Sequence, residues 1–106
     1  MKIPADAVIP EPKLTRYLLV ARSRNDKSKF LLQGGFTQAN PVDLEMAIRE
    51  LIADNDAMED RTDRFGTFYE VKGMLKGVNG IDLGVVTIWL HQAADSNFRF
   101  ITLIPD

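Results

Sequence analysis

The hydrophobic period of this chain changes once. Up to Asp54 apolar residues recur at helical spacing, and from Phe65 they alternate. Residues 1–10 read as extended, with Val8 and Ile9 set among prolines at 4, 10 and 12. Pro12 suits a first helical turn, where a missing N–H costs nothing. Leu14, Tyr17, Leu18 and Ala21 then predict a helix over 12–21. Ser23-Arg24-Asn25-Asp26 reads as a polar loop. Lys27 to Gln33 predicts a short second helix with Phe30 and Leu31 inward, stopped by Gly34-Gly35. Asn40 as N-cap and Pro41 as first residue open a third helix over 41–54, with Asp43 and Glu45 near its positive end. Its apolar stripe is Leu44, Ala47, Ile48, Leu51 and Ile52. Residues 55–64 are polar and acidic and read as a frayed end or loop.

Beyond Phe65, Thr67, Tyr69, Val71, Gly73 and Leu75 face one way, and Phe68, Glu70, Lys72 and Met74 the other. Gly77-Val78-Asn79-Gly80 supplies a turn. The return strand, 81–92, sets Val85, Thr87, Trp89 and His91 against Val86, Ile88 and Leu90. After a second turn at 94–97, strict alternation over 98–104 sets Phe98, Phe100, Thr102 and Ile104 against Arg99, Ile101 and Leu103. The pattern predicts an α+β fold: two or three N-terminal helices packed on a three-stranded antiparallel β-meander. A chain of 106 residues reads as one domain over 1–106 that buries roughly two thirds of its unfolded surface.

Charge adds an asymmetry that the net value of −2 conceals. From Lys13 to Lys29 there are six basic residues and one acid; from Asp43 to Asp63 there are eight acids and two bases. Such runs are usually solvated faces, and a basic segment also suits a phosphate backbone or an acidic partner. The absence of cysteine excludes disulfides and thiolate metal sites. No signal-like or membrane-length apolar run is present, so a cytoplasmic protein without a membrane partner is expected.

Several short elements resemble a bacterial family of small domains labelled only as a domain of unknown function. Lys13-Leu14 and Tyr17-Leu18-Leu19 match its first element, and Lys27-Ser28-Lys29-Phe30-Leu31 before Gly35-Phe36 its second. Gly66-Thr67, Tyr69, Gly73, Leu75 and Gly77 match its hairpin, Thr87 and Trp89 its next strand, and Arg99, Thr102 and Pro105 its close. Phe68 stands where the family often has a basic residue, and Ile104 where it usually has tyrosine. The loop after Leu19 is about two residues shorter than the family's and lacks its His-Pro. Such domains stand alone or close large secreted toxins, and their helices-then-sheet order is similar to that of toxin ribonucleases. The resemblance implies RNA cleavage or an inactive derivative of that activity.

Metal-independent RNA cleavage needs a base for the 2′-hydroxyl, an acid for the leaving oxygen and cations for the phosphate. Lys27, Tyr69, His91 and Arg99 are the catalytic candidates; Lys29, Thr87 and Trp89 are the RNA-binding ones, with Trp89 offered as a stacking surface. This reading expects Lys27, Tyr69, Trp89 and Arg99 to meet in one cleft, and Lys27 and Trp89 on opposite sides of the sheet would end it. No cofactor or metal motif is present. A second reading is a non-catalytic module that binds a small protein, and a third is homodimerisation; both use an unpaired edge at 98–104.

Overall fold

The computed structural model describes residues 1–24 and 26–106; Asn25, within the expected polar loop, lies outside the described residues. The elements are α1 (Glu11–Lys13), which passes into a π-helical turn (Leu14–Leu18), then α2 (Ser28–Leu32), α3 (Pro41–Asp54), β1 (Met58–Asp63), β2 (Gly66–Lys76), β3 (Asp82–Gln92) and β4 (Phe98–Pro105). The strands form one antiparallel sheet in the order β1-β2-β3-β4. This is an α+β architecture with four strands where the hydrophobic pattern predicted three.

The extra strand, β1, falls in the segment read as loop. Its residues Met58 to Asp63 are exposed throughout, so no buried face imprints a period of two on them. Glu59, Asp60, Arg61 and Asp63 give this outer strand a charged edge that discourages pairing with another chain. The first helix is shorter than the expected 12–21 and changes pitch: the Leu19 N–H bonds the Leu14 carbonyl, five residues back, at 3.0 Å. The third helix keeps its expected bounds and stripe. Asn40 does not cap it through its side chain; its Oδ1 accepts from the Thr37 N–H at 2.7 Å and its Nδ2 donates to the Gly35 carbonyl at 2.9 Å. That amide braces the preceding loop instead.

The α3 stripe packs on Val71 and Leu75 of β2, Leu83, Val85 and Trp89 of β3, and Phe100 and Leu103 of β4. The Trp89 and Phe100 rings meet edge to face at 5.3 Å. Strict alternation fails once in β4. Trp89 pairs with Phe100 but Ile88 pairs with Thr102, so Ile101 is a bulge residue. Leu103 therefore turns inward beside Thr87, while Thr102 and Ile104 share the opposite face with Ile88 and Val86. A bulge depends on three-dimensional register, which period-two counting does not contain.

Candidate functional site

Thr102, re-aimed by the bulge, meets Lys27 at the outer edge of β4. Lys27 Nζ donates to the Thr102 hydroxyl at 2.9 Å and lies 3.4 Å from the Tyr17 hydroxyl. Each partner is held by its own local structure. Asp26 Oδ1 accepts from the Ser28 N–H at 2.8 Å and the Ser28 hydroxyl at 2.5 Å, which sets the turn carrying Lys27 into α2. Those bonds also hold the Asp26 carboxyl below its usual range. Tyr17 projects from the π-helical turn, a distortion often found at functional sites.

Three cations surround the Tyr17 ring. Arg22 lies 5.1 Å from its centroid, Lys27 Nζ 5.4 Å and Lys13 Nζ 5.7 Å. The Tyr17 phenol is held below the usual tyrosine value. The Thr102 hydroxyl is the largest cause, burial opposes it, and Lys27 and Arg22 add to the lowering. The arrangement combines an acidified hydroxyl, a fixed ammonium and two further positive side chains, which suits a phosphate oxygen.

The expected cleft of Lys27, Tyr69, Trp89 and Arg99 does not form: Lys27 meets Thr102 on the face opposite Trp89, which ends the RNA-cleaving reading in the form that used that cleft. Tyr69, Thr87, Trp89 and His91 all belong to the face of the sheet that turns toward α3, whereas Thr102 and Arg99 belong to the other. Trp89 is fully buried, with its Nε1 donating to the Thr87 hydroxyl at 2.9 Å, and that hydroxyl donates to the Val71 carbonyl at 3.0 Å. Neither residue offers a surface to RNA, because both are committed to the core. Tyr69 packs on Phe98 at 5.6 Å, and His91 stacks on Phe98 at 4.2 Å with Nε2 3.1 Å from the Ser96 carbonyl. Lys29 lines a separate surface cleft of about 410 Å³ with Leu19, Leu32 and Phe36. That cleft contains neither Lys27 nor Tyr17.

The edge of β4 is also less open than expected. The Val8 N–H donates to the Phe98 carbonyl and the Phe100 N–H donates to the Val8 carbonyl, each at 2.8 Å. Arg49 of α3 holds the same N-terminal segment by donating to the Ala5 and Ala7 carbonyls at 3.0 Å.

A profile for a domain of unknown function, DUF6883, matches residues 4–106. The chain belongs to the DUF6883 family. No curated protein matches it significantly. Among solved structures, this DUF6883 chain is similar to one chain of a contact-dependent growth inhibition toxin–immunity protein complex from Klebsiella pneumoniae 342. The two are 20% identical with a TM-score of 0.73, over 96% of this chain and 95% of that one. At that identity the likeness is one of fold. No helix of this DUF6883 domain is long and apolar enough to cross a membrane, among the described residues.

Tyr17 and Arg22 were absent from the sequence candidates. Tyr17 sits on the apolar repeat Leu14-Tyr17-Leu18-Ala21 and so reads as core, and it does pack partly against the core. A signal existed in the short basic run of Arg22, Arg24, Lys27 and Lys29 that follows it, although which of these turn back to the phenol is a property of the fold.

Proposed function

We propose that this DUF6883 domain is a toxin-type RNA-cleaving domain whose phosphate-handling centre is not the expected cleft but Tyr17, Lys27 and Thr102, with no part for Tyr69 or Trp89. The observation that carries the reading is the contact of Lys27 Nζ with both hydroxyls beneath the cations Lys13 and Arg22. Phosphodiester cleavage builds negative charge on the phosphate and on the departing oxygen. A fixed ammonium opposes the first and an acidified phenol can protonate the second. Arg99, exposed near Thr102 on β4, would extend the positive surface along a backbone. The fold shared with a chain of a toxin–immunity complex agrees with this.

The test is cleavage of total tRNA by the purified chain in excess chelator, beside Lys27→Ala. Native cleavage with a loss of about 100-fold or more in the variant supports the reading. Equal products from both, or none from the native chain, would sink it.

A second reading is favoured by one observation: the face of the sheet away from α3 is only half covered. Phe68, Ile88 and Ile101 are partly open, and Met74 and Ile104 are exposed. A small protein partner would bury this face and leave the chain inert toward RNA. Size measurement of the chain co-expressed with a candidate small protein distinguishes it: a stoichiometric complex lost on Ile88→Glu supports the module, and two independent species remove it.

A further inference from the structure

The register of the sheet sets out the half-covered face as rows. One row crosses all four strands: Met58 on β1, Glu70 on β2, Ile88 on β3 and Thr102 on β4. The rows beside it are Phe68, Leu90 and Arg99 on one side, and Lys72, Val86 and Ile104 on the other. Paired residues of adjacent strands point the same way, so these side chains share one face. Glu70 and Thr102 flank Ile88 from neighbouring strands, which separates their backbones by about 10 Å.

Glu70 is half-buried, and no hydrogen bond or ion pair engages its carboxylate among the described residues. The charged groups around it are Lys72 on its own strand, Asp60 and Arg61 of β1 (the Arg61 guanidinium lies 4.2 Å from the Phe68 ring and pairs with Asp63 at 3.0 Å), Arg99 of β4, and Lys27 beyond Thr102. A free carboxylate on a mainly cationic and apolar face is an acceptor without a structural task.

In-line cleavage of RNA needs a base and an acid on opposite sides of one phosphorus. The attacking and leaving oxygens, each with a hydrogen bond to its protein group, span about 9 Å. We infer that Glu70 is the general base of this domain, acting across Ile88 from Tyr17, and that the scissile phosphate lies over Ile88 between them. The assignment rests on the RNA-cleaving reading above. Glu70 takes the 2′-hydroxyl proton, and the 2′-oxygen electron pair forms the new bond to phosphorus. The bond from phosphorus to the 5′-oxygen breaks, and that oxygen takes the phenolic proton of Tyr17. The products are a 2′,3′-cyclic phosphate and a 5′-hydroxyl. Exchange with water returns one proton to Tyr17 and removes one from Glu70, with no change of oxidation state.

The test is single-turnover cleavage of a labelled oligoribonucleotide by the native chain, Glu70→Gln, Glu70→Asp and Tyr17→Phe across pH 5–9. Glu70→Gln should lose about 100- to 1000-fold and the acid limb of its pH–rate profile. Binding of the uncleavable 2′-deoxy oligonucleotide should be unchanged, which separates a missing base from a misfolded chain. Glu70→Asp, which keeps the carboxylate, should recover part of the rate. Replacing the 5′-oxygen by sulfur gives a leaving group that needs no acid, so it should restore Tyr17→Phe and not Glu70→Gln. An active native chain with an equally active Glu70→Gln overturns this assignment alone, as does rescue of Glu70→Gln by the sulfur substrate. A native chain that leaves the oligonucleotide intact overturns the RNA-cleaving reading and this assignment together.

Discussion

Lys27 Nζ reaches the Thr102 hydroxyl at 2.9 Å, joining the start of a short helix to the edge strand of the sheet across 75 positions of sequence. The same ammonium lies 3.4 Å from the Tyr17 hydroxyl, so the phenol shares its electrostatic environment. Tyr17 should therefore ionise below the ordinary tyrosine value of about 10. Absorbance near 295 nm, native minus Tyr17→Phe, isolates its titration. Thr102→Val should move that titration upward, since the Thr102 hydroxyl is the largest cause of the lowering, and Lys27→Met should do so as well. Because the folded-state value is depressed, the folded chain binds fewer protons between that value and the unfolded one. The resulting stability is fully present above the unfolded value and disappears as pH falls through the folded one. An unmoved titration in Thr102→Val would contradict this account.

Trp89 gives a prediction about stability alone. Its indole N–H has the Thr87 hydroxyl as acceptor, and that hydroxyl in turn donates to the Val71 carbonyl. All of this is buried. Thr87→Val keeps the shape and orphans the indole N–H, at a cost of about 1–3 kcal/mol. Thr87→Ser restores the bonds but leaves a methyl-sized void worth about 1 kcal/mol. Guanidinium unfolding should rank the variants native, Ser, Val. Cleavage per folded molecule should be the same in all three, because Thr87 belongs to the core and not to the site. A Val variant as stable as the native chain would show that the indole finds another acceptor.

These residues also show what was legible in advance. Leu44, Ala47, Ile48, Leu51 and Ile52 repeat at helical spacing behind Asn40-Pro41, and α3 could be bounded from them. Val71, Leu75, Val85 and Trp89 alternate around a glycine-rich turn, which made the β2–β3 hairpin and its inward face readable. Where one face is buried, the pattern records it. β1 buries neither face and left no trace. The site was less legible because its parts are joined by tertiary register. Lys27 was named from its basic run, whereas Thr102 turns toward it only through the Ile101 bulge. Trp89 and Thr87 look the same as stacking residues or as core residues until their burial is known.

Gly66 opens β2 with φ +142, and a Cβ there would lie 2.0 Å from the His91 carbonyl oxygen. That contact is backbone, so no rotamer change can relieve it. Gly66→Ala should cost about 2–3 kcal/mol by combining strain with a displaced strand pairing. Gly80 provides the control. It also has positive φ, at +87, but nothing lies within 4 Å of its added Cβ. Gly80→Ala should lose only about 1–2 kcal/mol of conformational energy. Thermal unfolding of both variants checks the ranking, and an equal loss at the two sites would remove the carbonyl clash as its cause.

The N-terminal segment covers part of the β4 edge through Val8. That edge would present free backbone groups at Phe98 and Phe100, and Val8 satisfies both with bonds of 2.8 Å. Val8 is itself held by neighbours that Arg49 anchors through the Ala5 and Ala7 carbonyls. Val8→Pro deletes the donor to the Phe98 carbonyl and should cost about 1 kcal/mol or slightly more. Its larger consequence is at the edge. With the N-terminal segment detached, the apolar strand Phe98-Arg99-Phe100-Ile101 becomes a template for another copy. Sedimentation should then show a concentration-dependent dimer in Val8→Pro. Val8→Ala, which keeps the N–H, should not associate more than the native chain. Dimerisation of Val8→Ala to the same extent would assign the protection to the valine side chain, and a monomeric Val8→Pro would mean that the segment is not what guards the edge.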